Sequence, residues 1–393
     1  MSLKEKFGKD IVISGVAHTP FGKLVDDDLE SLVVRVAREA MADAKVDPAD
    51  VDAIYFGQFN SGMWPLAFAS SLALQASDAL ALKPATRVEN ACASGVAAAH
   101  EGINAILAGR ARTVLVIGAE KMTHAGAAVV GAGLLGADYA MAGKESNTGF
   151  AGLFADVANA YADKYGDPSP SMAKIAAKNH ANGIHNPWAQ LRKEFDEEFC
   201  ATTSEKNPMV AAPLRRTDCS PVSDGAAAVV LQLFEDAKEP LARITGLGHA
   251  NDYLPADKKD LTEFNGVRES IRQAYEMAGI TVDDLDFAEV HDCFTIAELV
   301  LYEAMGLTEP GQGARALEEG WVYPDGKLPV NLSGGLKAKG HPVGATGVSQ
   351  LVLSALQLAG RSPGVQLENP RIGLAQNMGG VAVANYATVL EAI

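Results

Sequence analysis

The stretches AMADAKVDPADVDAIYF (residues 40–56) and AYEMAGITVDDLDFAEV (residues 274–290) are one pattern written twice. A constant offset of 234 residues sets Ala40 over Ala274, Ala44 over Ala278 and Val46 over Ile280. The same offset sets Asp50-Val51-Asp52 over Asp284-Leu285-Asp286. Each copy reads as a helix, a short acidic turn and a strand. Two more pairs follow in the same order. GVAAAHEGINAILAGR (95–110) and GATGVSQLVLSALQLAGR (344–361) read as apolar helices ending at a glycine. Strands open after each, in TVLVIGAEKM (113–122) and RIGLAQNMGG (371–380). GAAAVVLQLF (225–234) then pairs with GVAVANYATVL (380–390).

Two similar βαβ-rich halves therefore make the core. Continuously apolar strands imply sheets covered on both faces. Strand-helix-strand alternation predicts mostly parallel sheets with right-handed crossovers. The repeat also locates an insertion. Strands that nearly abut in the second half are separated by about a hundred residues in the first. The division expected is a first half of residues 1–119 with 218–245, an inserted loop domain of 120–217, and a second half of 246–393. The insertion contains two helical stretches, 154–166 and 171–184, and loops rich in Gly, Pro and Asn.

Composition narrows the function classes. The chain has 393 residues, 48% of them hydrophobic, enough for a large core. A net charge of −16 without a basic run argues against nucleic acid. The four cysteines show no paired spacing, which predicts free thiols in a reducing cytoplasm. MSLKEKFGKD at the start is too charged for a secretory signal. The longest uncharged stretch, near residues 125–137, is too short and glycine-rich to span a membrane.

Reactive side chains fall at the C-terminal ends of strands, where open α/β sheets bind ligands. Cys92, in VENACASG, stands between a strand and a helix start, where free N–H groups and the helix dipole favour a thiolate. The bland alternative is a buried structural cysteine. HDCF (291–294) follows the repeated strand, and its His291 and Cys293 point the same way from an extended chain. A zinc pair is the rival reading there, but no second Cys or His pair has ligand spacing, so no metal is expected. His341 sits in GGLKAKGHPVGATG (334–347), which lacks the Gly-Lys-Ser/Thr of a phosphate loop. Gly380, in NMGG, offers an N–H to an oxyanion. Cys92 is best read as a nucleophile. His18, His100, His124, His180, His185 and His249 are expected to be structural or solvated.

NACASG, GHPVGATG, DGAAAVVL and the opening IVISGVAHTPFGKL resemble the thiolases along essentially the whole chain. The resemblance implies a five-layered α/β/α/β/α fold of two pseudo-symmetric halves with an inserted loop domain. HDCF replaces the more usual Asn-Glu-Ala-Phe block, and GLAQNMGG lacks the family's second cysteine. That pattern is similar to the sterol-carrier-protein-type thiolases, in which the cysteine of HDCF is the acid/base. The resemblance implies these roles: Cys92 is acylated by an acyl-CoA, with His341 as its base. The N–H groups of Cys92 and Gly380 hold the oxyanion. Cys293 takes the α-proton of acetyl-CoA, His291 and His341 hold the enolate, and Ser220 touches the pantetheine arm. Coenzyme A is then a substrate, and neither metal nor redox cofactor is required. A homodimer or dimer of dimers is implied, with a small OB-fold acyl-CoA-binding protein as a further partner. The rival readings are a decarboxylating ketoacyl synthase-like enzyme with a Cys-His-His set, a retro-aldolase, and a non-catalytic acyl-CoA-binding or scaffold protein.

Overall fold

The computed structural model describes residues 3–393. The first half runs α1 (Leu3–Phe7), β1 (Ile11–His18), α2 (Leu29–Asp43), β2 (Ala53–Gly57), β3 (Ala85–Val88), α3 (Ser94–Leu107) and β4 (Thr113–Glu120). It resumes much later at β7 (Gly225–Leu233). Between them lie α4 (Ala127–Leu135), α5 (Phe150–Tyr165), α6 (Ser169–His185), α7 (Glu197–Ala201) and a hairpin of β5 (Met209–Ala211) and β6 (Leu214–Arg215). The second half begins with β8 (Ala242–Asn251), α8 (Asn265–Ala278), β9 (Phe287–Glu289), α9 (Thr295–Ala304) and α10 (Gly313–Glu318). It ends with α11 (Gly335–Lys339), α12 (Val343–Leu358), β10 (Ile372–Gly379) and β11 (Ala384–Glu391).

The sequence repeat is a structural repeat. Single 3-10 turns occupy Pro48–Asp50 and Val282–Asp284, and β2 and β9 start at the same 234-residue spacing. Even single hydrogen bonds recur: Ile54 N–H donates to Pro84 O at 2.9 Å, and Ala288 N–H to Pro329 O at 3.0 Å. The expected strand at LPVNL is reduced to one bridge, Ala288 with Val330.

The main sheet runs β3-β2-β4-β7-β1-β8-β11-β10-β9. The halves meet where β1 pairs β8, through only Val12–Arg243 and Ile13–Ala242. Most pairings are antiparallel, contrary to the sequence expectation. Parallel pairing is confined to β2 with β3, β2 with β4, and β9 with β10. The reason is the connection. Residues 380–383 are too few to cross over, so β11 must turn back along β10. β7 repeats that geometry on β4, although residues 121–224 intervene.

α12 is buried along its whole length, which only a helix covered on all sides can be. With α3 it forms the central layer, touching β4 and β7 on one side and β10 on the other. α2 covers the outer face of the first half-sheet and α8 that of the second, giving five layers. α2 starts at a capping box, in which Asp28 Oδ1 accepts from Ser31 N–H at 2.8 Å and Ser31 Oγ from Asp28 N–H at 3.1 Å.

Two glycines set the spacing of the central layer. A Cβ on Gly95 of α3 would lie 2.6 Å from the carbonyl oxygen of Gly344 of α12. A Cβ on Gly344 would lie 2.6 Å from the carbonyl oxygen of Ala119. Only bare backbone lets these helix starts approach so closely. Among the described residues, no helix is long and apolar enough to cross a membrane.

Candidate active site

Cys92 stands on a tight turn between β3 and α3. Asn90 N–H donates to Ser94 Oγ at 2.9 Å, and Ser94 Oγ–H donates to Ala91 O at 2.6 Å. Ala91 N–H donates to Glu89 Oε1 at 2.6 Å. The turn holds Ala91 at φ 49°, a left-handed conformation that costs a residue with a Cβ about 1 kcal/mol or more. Gly379 lets the end of β10 press onto this turn, since a Cβ there would lie 2.3 Å from Asn90 O.

The sequence places Cys92, Cys293, His341, Gly380 and Ser220 on different elements, and all five line one cavity of about 80 Å³. Met122, Leu134, Phe150, Phe294 and Val343 complete an apolar wall. His291 stands at its edge. One ring nitrogen of His291, one of His341 and the Cys92 sulfur lie within 4.8 Å of one another. The two imidazoles meet edge to face, with centroids 5.0 Å apart. Ser220 N–H donates to Cys293 O at 3.0 Å, tying the cavity rim to the HDCF turn.

Burial decides the protonation states. It pushes the Cys92 thiol up to about 12, more than the Gly380 and Cys92 N–H groups beside it can offset. The helix start therefore does not yield the resting thiolate that the sequence suggests. Burial, assisted by the Lys339 ammonium, lowers His341 to about 3. His291 is also held well below its usual value, by burial, then His341, then Lys339. Cys293 is raised well above the ordinary thiol value by burial, then by Cys92 and Asp292. The resting site thus holds two thiols and two neutral imidazoles.

The histidine tautomers follow from their neighbours. Thr346 Oγ1–H donates to Pro342 O at 3.0 Å, so its oxygen accepts from His341 Nδ1–H at 2.7 Å. The lone pair of His341 is left on Nε2, buried without a partner. Asn377 Nδ2 donates to His291 Nδ1 at 2.8 Å, so the His291 hydrogen is on Nε2. One ring offers an acceptor and the other a donor. Cys and two His are also metal-ligand types, but a protonated Nε2 has no lone pair to give.

Several residues of the site escape sequence reasoning. Asp292 accepts from Leu336 N–H at 2.6 Å, Lys337 N–H at 3.2 Å and Asn179 Nδ2 at 2.8 Å, clamping HDCF to the arm that carries His341. Glu120 accepts from Phe59, Asn60 and Gly344 N–H groups at 2.9, 2.9 and 3.0 Å, and burial raises it to about 7. Thr346, Gln350 and Asn377 orient the histidines. The available signal is a polar residue on a fully apolar helix or strand, which must find partners when buried. Of the histidines set aside, His18 stacks on Trp188 at 4.5 Å, His100 bonds Thr388 Oγ1 at 3.1 Å and His249 stacks on Tyr386 at 4.1 Å. His180 Nδ1 bonds Lys193 O at 2.9 Å, and its Nε2 has no partner.

Comparison with known proteins identifies the family. Residues 11–233 match the family model described as Thiolase, N-terminal domain, and residues 248–392 that described as Thiolase C-terminal domain-like. The chain is 36% identical over 376 residues to an acetyl-CoA acetyltransferase of Methanothermobacter thermautotrophicus, covering 95% of this chain and 97% of that one. It is 30% identical over 400 residues to sterol carrier protein 2 of Homo sapiens, covering 94% of this chain and 70% of that one. The solved Ltp2-ChsH2(DUF35) aldolase superposes with a TM-score of 0.80 at 20% identity, covering 98% of each chain.

Proposed function

Because the chain belongs to the thiolase family, we propose that it transfers acyl groups between coenzyme A thioesters through a thioester on Cys92. The observation that carries the reading is the buried set of Cys92, His291, His341 and Cys293 around one small apolar cavity. As the Cys92 sulfur attacks a thioester carbonyl, its proton passes to the free Nε2 of His341. The Cys92 and Gly380 N–H groups receive the oxyanion. Coenzyme A leaves as its sulfur takes the proton of Cys293, a thiol at rest, and Cys293 becomes the thiolate. In the second half-reaction that thiolate removes the α-proton of acetyl-CoA. His291 Nε2–H and the protonated His341 hold the enolate oxygen. The enolate carbon attacks the acyl group, Cys92 sulfur departs and recovers its proton from His341. A 3-oxoacyl-CoA results, and thiolysis is the reverse. Acyl transfer between thiols changes no oxidation state, so a redox cofactor has no step to serve.

The cavity favours a short acyl group. At about 80 Å³ it is well below the roughly 300–1,000 Å³ of ordinary ligand pockets, which supports a short chain. The thiolase reading puts Ser220 on the pantetheine arm, and its sharing this cavity with Cys92 supports that role. Residues 120–217 form an inserted domain that contributes Met122, Leu134 and Phe150 to the cavity, and the chain assembles as a homodimer or dimer of dimers. β3 is an edge strand with Leu82 wholly exposed beside it and Phe68 84% exposed nearby, which suits a self-complementary contact. The superposable Ltp2-ChsH2(DUF35) aldolase names a second component, which supports a small partner of the OB-fold kind for this chain. All four cysteines are free, in keeping with a reducing cytoplasm.

Incubation with acetyl-CoA, followed by intact-mass and peptide analysis, tests the assignment. One acetyl group on Cys92 is expected, discharged by added coenzyme A. An unmodified Cys92, or condensation that requires a malonyl thioester, would overturn it.

A further inference from the structure

Two neutral imidazoles beside one thiol would be redundant if both presented the same face. They do not, and the difference is traceable atom by atom. His291 Nδ1 receives a hydrogen bond from Asn377 Nδ2 at 2.8 Å, and the same nitrogen donates to Gln350 Oε1 at 2.9 Å. Gln350 cannot turn round, because its own Nε2 donates to the main-chain oxygens of Gln376 at 2.8 Å and Glu289 at 3.4 Å. Carbonyl oxygens only accept, so they fix the nitrogen of Gln350. Its oxygen then fixes the nitrogen of Asn377, and that nitrogen fixes the lone pair of His291. Asn377 Oδ1 stays buried with no partner. Turning Asn377 would set that oxygen against Gln350 Oε1, acceptor against acceptor. Gln350 lies on fully buried α12 and Asn377 on β10, so neither side chain has solvent to fall back on.

We propose that Gln350 and Asn377 are positioning residues whose amides keep the hydrogen of His291 on Nε2, making His291 the hydrogen-bond donor to the enolate and leaving His341 as the base. The roles of the two histidines rest on the thiolase reading, whereas the tautomer assignment does not. Polarity runs one way, from two backbone carbonyls through two amides to the ring. The relay keeps the donor in place before substrate arrives, so no reorganisation is required when charge develops.

The test uses the full chain labelled with ¹⁵N-histidine, free of substrate, in long-range ¹H–¹⁵N correlation spectra. The His291 resonance is assigned by its loss in His291→Gln. The expected parent spectrum has a hydrogen on Nε2 of His291 and on Nδ1 of His341. In Asn377→Asp the carboxylate accepts from the ring, and the His291 hydrogen moves to Nδ1. That variant loses exchange of the acetyl-CoA methyl protons with deuterated water by about 10²–10³-fold, the usual worth of one oxyanion donor. Its Cys92 acetylation falls less than tenfold. Gln350→Glu, protonated in this buried site, restores a donor to the carbonyls and an acceptor to Asn377, and keeps the parent tautomer. A parent His291 protonated on Nδ1 overturns the proposal. So does an Asn377→Asp variant with an unmoved hydrogen, or with a moved hydrogen and undiminished exchange. Failure of Cys92 to be acetylated in the parent defeats the functional reading instead, and leaves the tautomer result standing.

Discussion

Cys92 and His341 occupy the same position in the two halves. α3 begins at Ser94 and α12 at Val343, and the same offset of 249 residues carries Cys92 onto His341. The proposed nucleophile and its proposed base thus stand on equivalent turns of the two halves, facing each other across the central layer. Gly95 and Gly344, three residues beyond each, are the two glycines in contact.

That contact makes the first prediction. Gly95→Ala places a Cβ where the Gly344 oxygen lies at 2.6 Å, and backbone on both sides must give. We expect a loss of roughly 1–3 kcal/mol, the range for overpacking. Acylation should fall more than stability suggests, because the same shift separates Cys92 from His341. Urea unfolding and a single-turnover acetylation assay measure the two. Unchanged values for both would show that the spacing is not fixed here.

Cys293→Ala should separate the half-reactions. Without the Cys293 proton coenzyme A can still leave as its thiolate, so Cys92 should be acetylated, more slowly than in the parent. Deuterium exchange into acetyl-CoA and condensation should drop by about 10²–10⁴-fold, as for a lost acid/base. Exchange at the parent rate in a folded variant would mean that Cys293 only packs.

Cavity size should set chain length. Leu134→Ala removes part of the apolar wall. Relative to the parent, thiolysis of six- to eight-carbon 3-oxoacyl-CoAs should rise about 10–200-fold per fitted methylene at best. Activity toward acetoacetyl-CoA should change little. An identical ranking of substrates in the two proteins would exclude this wall from the acyl site.

Acid stability carries a buried-histidine signature. Burial, then His249, lowers His100 to about 3 from 6.5. A depressed folded value contributes stability present above 6.5 and lost as pH falls toward 3. From pH 6.5 to pH 5 this one group should cost about 2 kcal/mol. His100→Gln should therefore be destabilised at neutral pH, with its deficit to the parent shrinking by about that amount at pH 5. Glu120 runs the opposite way over part of this range, but it is common to both proteins and cancels in the difference. A deficit independent of pH would refute the assignment.

Much of this molecule is legible in its sequence, because helix and strand periodicities repeat with the chain. The offset of 234 residues marks β2 and β9, and the strand-end turns mark Cys92, His291, Cys293, His341 and Gly380. What sequence hides is whatever depends on the far side of a contact. Antiparallel pairing of β4 with β7 cannot be read from two apolar stretches separated by residues 121–224. The state of Cys92 turns on how completely α12 and the 380–383 turn enclose it, and burial outweighs the helix start. Gln350 and Asn377 differ from ordinary buried amides only in which end faces which neighbour.

The unequal links between equivalent strands also order the folding of the chain. β10 and β11 pair across residues 380–383, whereas β4 and β7 must close a loop of residues 121–224, about twenty-five times longer. Loop-closure entropy then disfavours the β4–β7 pairing by about 3 kcal/mol relative to β10–β11. The C-terminal hairpin should gain amide protection early in pulse-labelled refolding, and β4–β7 late, once the inserted segment has condensed. Simultaneous protection of both pairs would deny this order. During synthesis the half that emerges first is the half that must wait, so the N-terminal strands spend the longest time with unpaired edges.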